Sequence, residues 1–296
     1  MSTVLPVVGF VGLGNMGMPM SSRLVAAGYS VLGFDLSGEA RNAFAEHGGT
    51  PTDNIGTLVR EVDLVVLMLP NSPIVEQVTS DEEFRSALRP GLTLIDMGSS
   101  EPLATRALAE DLARSSVALV DAPVSGGVRG AVEGKLTVMA GGGEGDVERV
   151  APVLGHFGRV VRTGPVGSGH ALKALNNLLS ATHLWATSEA MLTGAQFGID
   201  SKVMLDVFNG SSGRSGSTDN KWPNFILPGT YDSGFALHLM LKDIRTAVAL
   251  ANDLGVSASL GAYTAARWAD AADGLPATAD HTEIALWIAD REVMHR

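Results

Sequence analysis

Six short runs rich in Val, Ile and Leu punctuate the first half of the chain: Val7–Val11, Tyr29–Phe34, Leu64–Met68, Leu92–Asp96, Ala118–Asp121 and Leu136–Ala140. Amphipathic stretches such as Met16–Ala27 and Pro102–Ser115 lie between most of them. Continuous apolar runs separated by helices predict a parallel sheet buried on both faces. From about His170 the pattern changes. Runs of β type become scarce, and long Ala- and Leu-rich stretches take over, beginning with Ala171–Phe197. A helix over that stretch is roughly 40 Å long at 1.5 Å per residue, enough to bridge two lobes. The Gly- and Pro-containing turn Thr163–Gly169 is the natural boundary. The pattern therefore predicts an α/β domain over 1–166, an all-helical domain over 167–296, and a long helix joining them.

The first run is followed directly by Gly12-Leu13-Gly14-Asn15-Met16-Gly17, which opens the first helix. Strand, GxGxxG and helix in this order read as a dinucleotide fingerprint of Rossmann type. Gly12 permits the tight turn, Gly14 the approach of backbone to a pyrophosphate, and Gly17 close helix–strand packing. Asp35 ends the second run, 18 residues after Gly17. A carboxylate there either accepts hydrogen bonds from the adenosine ribose hydroxyls and repels a 2′-phosphate, or caps the loop before Ser37–Glu39. No Arg or Lys follows until Arg41, so NAD is expected rather than NADP. Ligands of open parallel sheets sit at the carboxyl ends of strands. That places Leu69 and Pro70, after the Leu64–Met68 run, and Ser99, after Leu92–Asp96, as further cofactor contacts.

Two more segments carry chemistry. In Asp121-Ala122-Pro123-Val124-Ser125-Gly126-Gly127 the glycines after the serine leave backbone N–H groups uncovered, an arrangement suited to a carboxylate. In Gly169–Asn177, Lys173 and Asn177 are four residues apart and share one helical face, which continues through Ser180 and Leu184. The chain has only five lysines, Lys135, Lys173, Lys202, Lys221 and Lys242. A lysine in an apolar helix is therefore unusual for this protein, and Lys242-Asp243, inside the apolar stretch Leu237–Leu254, is a second such case.

These segments resemble the β-hydroxyacid dehydrogenase family. The motifs are GLGNMG, Met68–Asn71, Asp121–Gly127, Gly169–Asn177 and the Lys242-Asp243 pair, and the likeness runs from Val7 to about Ile288. The resemblance implies a doubly wound Rossmann domain followed by an all-α domain, and NAD-dependent oxidation of a small 3-hydroxy acid to its semialdehyde. It makes Lys173 the catalytic residue and Asn177 its neighbour at the substrate. Ser125, Gly126 and Gly127 would bind the substrate carboxylate, and Lys242 would reach the nicotinamide end of the cofactor, whose pyrophosphate loop includes Asn15 and Met16. Lys173 can accept the hydroxyl proton if burial and nearby positive charge bring its pKa down from ~10.4. A semialdehyde reductase, an imine reductase and a nucleotide-binding module without turnover are the competing readings.

Composition narrows this picture. A formal net charge of −11 argues against a nucleic-acid surface. Cysteine is absent, and the seven histidines form no i, i+3 or i, i+4 pair, so no metal site is expected. No run approaches the ~18 apolar residues of a membrane span, and no signal peptide is recognisable at the N-terminus; a cytoplasmic protein is expected. The polar stretch Ser211–Ser217 and Trp222 should line the substrate's far end. Arg214 within it either pairs with a second anionic group or faces solvent. Apolar helical surface in the second domain predicts a homodimer or homotetramer.

Overall fold

Strands made only of apolar residues must be covered on both sides, and β1 (Val8–Val11) is buried at every position. In the computed structural model, which describes residues 5–294, the strands continue as β2 (Val31–Phe34), β3 (Thr50–Thr52), β4 (Leu64–Leu67), β5 (Thr93–Asp96), β6 (Ala118–Asp121), β7 (Val124–Ser125), β8 (Leu136–Gly141) and β9 (Gly158–Gly164). They form one sheet in the order β3-β2-β1-β4-β5-β6-β8-β7, with β9 paired to β8. Successive residues of a strand feed opposite faces. Accordingly Val8, Phe10, Val66 and Ile95 pack in one core with Met20, Leu24, Phe44 and Phe157. Val11, Val65, Leu67 and Leu94 pack in a second with Leu58, Val59, Phe84 and Leu112. Two cores on two faces are what a doubly wound sheet requires.

The sheet is parallel from β3 to β6. The parallel sheet is the one that the apolar runs predict, and its far edge is mixed. β8 runs antiparallel to β6 and β7, and β9 returns parallel to β8. Three strands gave no apolar run: β3 is Thr-Pro-Thr, β7 has two residues, and β9 is half-exposed along its length. β9 also occupies Thr163 and Gly164, which the sequence pattern placed in the boundary turn.

The long helix spans Ser168–Phe197, about 45 Å. The chain divides into two compact units between Lys173 and Ala174, inside this helix. The second unit is helical, with Ser201–Asn209, Leu237–Asp253, Ser259–Gly274 and Ile284–Met294 around a core of Leu184, Met191, Ile244, Trp268 and Ile284. Ser217–Ile226 is a π-helix of ten residues, a form usually limited to single turns and found often at functional sites. Among the described residues no helix is long and apolar enough to cross a membrane.

Candidate active site

The strand order reverses between β1 and β4, because the chain runs outward from β1 through β2 and β3 and then restarts on the other side. The crevice at the carboxyl ends of those two strands is the ligand site that such topology creates. Gly12 directly follows β1 with φ of +94°, and a side chain there would meet the Met68 carbonyl oxygen at 2.4 Å. At Gly17 a Cβ would lie 1.9 Å from the Gly12 carbonyl oxygen. Both positions therefore demand glycine, and Gly14 by contrast faces open space. The loop after β5 closes on the loop after β4, since a Cβ at Gly98 would meet the Leu69 carbonyl at 2.4 Å. The topology thus gathers Gly12, Leu69 and the Gly98-Ser99 turn along one rim.

Helix capping tells the loops apart. The helices after β2, β3 and β4 are capped by the side chains of Ser37, Asn54 and Asn71. The helix after β1, Gly17–Ala26, has Met16 at its start, no side-chain cap and no acid in its first turn. Met18 N–H donates to the Gly14 carbonyl at 2.9 Å and Pro19 has no N–H, so what the helix offers an anion is chiefly its uncapped positive dipole end. Asp35 stands at the end of β2. Its carboxylate accepts from the Leu13 and Ser37 amides, each at 2.8 Å, so it both caps its loop and ties that loop to the glycine turn. Arg41 is spent on carbonyl oxygens, those of Asp35 at 2.6 Å and Leu36 at 3.2 Å. These residues fit a dinucleotide: a helix N-terminus without a side-chain cap for the pyrophosphate and a half-buried carboxylate beyond it.

β6 ends in Asp121, fully buried, whose two carboxylate oxygens accept the backbone N–H of Gly167 at 2.6 Å and of His170 at 2.9 Å. Burial raises its pKa, opposed by the adjacent His170 and by these amide donors. Asp121 thereby caps the long helix from a different strand. The approach is tight, since a Cβ at Gly169 would lie 2.2 Å from the Met139 carbonyl. His170, also buried, is hydrogen-bonded through Nδ1 to the Thr105 hydroxyl at 2.8 Å, with Asp96 3.8 Å from Nε2. One turn after this pinned start comes Lys173, half-buried. Following β6, Ser125 ends β7, and Gly126 and Gly127 adopt φ of +133° and +63° as a short helix begins.

In the helical unit, Asn177 is buried and its amide donates to Asp243 at 2.6 Å. Lys242 Nζ lies 3.1 Å from the other Asp243 oxygen. Asp243 is the residue that sequence reasoning passed over here. The signal was a carboxylate inside an apolar helix, noted only as the companion of Lys242. Asp121 likewise lies in the Asp121–Gly127 motif, where its spacing alone points to no role. Arg214 makes an exposed ion pair with Asp219 at 2.9 Å. Trp222 is buried in the core of the unit, whereas Ser212 and Ser215 line a cavity of about 350 Å³ together with Arg214, His183 and Phe208.

Residues 7–167 match the NAD-binding domain model of 6-phosphogluconate dehydrogenase, and residues 167–288 match the NAD-binding model of NADP-dependent 3-hydroxyisobutyrate dehydrogenase. The chain belongs to the β-hydroxyacid dehydrogenase family. It is 36% identical to 2-(hydroxymethyl)glutarate dehydrogenase of Eubacterium barkeri, over 81% of each chain. It is 35% identical to the mitochondrial 3-hydroxyisobutyrate dehydrogenase of Homo sapiens, over 81% of this chain and 74% of the relative. The solved 3-hydroxyisobutyrate dehydrogenase of Mycobacterium tuberculosis superposes with a TM-score of 0.91 at 30% identity, covering 96% of this chain and 99% of that one. As a member of the family the chain is an oxidoreductase with a nicotinamide dinucleotide as cofactor.

Proposed function

We propose that the protein oxidises a small 3-hydroxy acid of the 3-hydroxyisobutyrate type to its semialdehyde, with NAD as acceptor and Lys173 as general acid and base. The observation that carries this reading is the placement of Lys173, on the turn following a helix start pinned by buried Asp121 and four residues before Asn177. When bound, the nicotinamide ring supplies a hydride acceptor for the carbinol carbon. Lys173 Nζ takes the hydroxyl proton during oxidation and returns it during reduction, so oxidation needs the neutral amine. Asn177, held by Asp243, keeps its amide fixed beside the reacting hydroxyl. The backbone at Ser125, Gly126 and Gly127 grips the substrate carboxylate, and Lys242 supplies positive charge at the nicotinamide end.

NAD is preferred because Asp35 presents a carboxylate where NADP would bring a phosphate, and Arg41 is tied to backbone carbonyls rather than waiting for that phosphate. A homodimer or homotetramer is supported by exposed apolar side chains on the helical unit, among them Leu254, Val256, Leu260 and Tyr263; light scattering measures it. The deciding assay follows NADH formation from 3-hydroxyisobutyrate with each cofactor. Turnover with at least ~10-fold higher kcat/KM for NAD is expected. Equal efficiency with NADP overturns the cofactor assignment, and no turnover of any 3-hydroxy acid overturns the activity.

A further inference from the structure

Lys221 sits in the middle of the π-helix Ser217–Ile226, and its Nζ donates to the Ser180 hydroxyl at 2.7 Å. Ser180 lies three residues beyond Asn177 on the long helix, hence on the same face and about 4.5 Å further along the axis. Lys221 is half-buried, yet among the described residues no carboxylate lies within the 4 Å of an ion pair from its ammonium. The carboxylate nearest in effect, Asp280, raises its pKa only in part. Asp280 is already saturated. It accepts from the Ser233 hydroxyl at 2.8 Å, from the Gly234 and Phe235 amides, and from the Thr282 amide and hydroxyl. A partly desolvated ammonium with one neutral partner is costly to keep, and burial has brought Lys221 down to about 8. An incoming anion would complete it.

We propose that Lys221, with Ser180, is a specificity-determining site that holds a second carboxylate on the substrate, so that the preferred substrate is a dicarboxylic 3-hydroxy acid. This rests on the dehydrogenase reading above and deepens it. Arg214, the other cation that the sequence offers for this role, is engaged by Asp219 in an exposed pair. Lys221 instead has its hydrogen-bonding partner on the face that carries Lys173 and Asn177.

Two substrates isolate the effect. In 2-(hydroxymethyl)glutarate a carboxyethyl group replaces the methyl of 3-hydroxyisobutyrate, and the reacting end is unchanged. Wild-type enzyme should show the lower KM for the dicarboxylate. Lys221→Met should raise that KM at least ~10-fold and leave the KM and kcat for 3-hydroxyisobutyrate within about twofold; Lys221→Arg should recover part of the loss. Equal KM changes for both substrates, or no wild-type preference for the dicarboxylate, overturn the proposal while leaving the dehydrogenase reading intact. If no 3-hydroxy acid is turned over, the same site is read by thermal shift. Glutarate should then raise the melting temperature of the wild type and not of Lys221→Met, whose own melting temperature without ligand reports its folding. Equal shifts in both proteins again overturn it.

Discussion

Lys173 and Asp35 carry the two assignments that single substitutions can test. Lys173→Ala should lower turnover by at least ~100-fold, because general acid–base catalysis contributes about that much, while binding of NADH measured by fluorescence persists. Activity within a few-fold of wild type would remove Lys173 from the proton transfer. Oxidation should rise with pH through one apparent pKa and reduction should fall through a similar one. A deuterated substrate shows whether hydride transfer limits the rates compared. At the other end of the cofactor, Asp35→Ser combined with Leu36→Arg should move preference toward NADP, since it removes a repelling carboxylate and supplies a phosphate partner. Leu36 is almost fully exposed, so the arginine costs no core packing, and initial rates with the two cofactors measure the shift.

The long helix depends on a cap that lies 46 residues away in the chain. Asp121 offers two acceptor oxygens to Gly167 and His170, and no local side chain replaces them. Asp121→Asn keeps the shape and turns one acceptor into a donor facing an N–H. A loss of about 1–3 kcal/mol of stability is expected, read as a lower urea midpoint. An unchanged midpoint would mean that the amide flips and water satisfies the second N–H. The reason for such a remote cap lies in the chain's own chemistry. The segment before the helix is Gly164-Pro165-Val166-Gly167, which brings tight turns but no side-chain acceptor. The sheet therefore supplies it, and in doing so fixes where Lys173 begins its turn.

All four tryptophans, Trp185, Trp222, Trp268 and Trp287, belong to the helical unit, so intrinsic fluorescence follows the unfolding of that unit. It contains His281, whose pKa burial and the nearby Lys221 lower to about 4. Its ring is buried, with Nδ1 against the Phe235 carbonyl at 3.1 Å. Between pH 6.5 and about 4 the unfolded chain binds a proton at this site that the folded one does not. Stability is thus complete above 6.5 and is lost as pH falls toward 4, by on the order of 3 kcal/mol. Denaturant titrations followed by tryptophan emission at several pH values should show that slope, and His281→Asn should flatten it. A slope unchanged by the substitution would assign the acid sensitivity to other groups.

Local rules were enough for the parallel half of the sheet, the glycine turn and the long helix, because each depends on neighbours in sequence. Buried strands need unbroken apolar runs, the turn at Gly12 needs a positive φ, and a helix needs periodicity over many residues. β3, β7 and β9 escaped for the converse reason: short or half-exposed edge strands are held by their partners' hydrogen bonds, and Thr-Pro-Thr carries no pattern of its own. The same division runs through the candidate site. Lys173 and Asn177 were legible as two polar residues on an apolar face. Asp121 reaching Gly167, Asp243 reaching Asn177, and Lys221 reaching Ser180 span 46, 66 and 41 residues. Pairings of that kind are set by how helices and sheet pack, and no spacing along the chain encodes them.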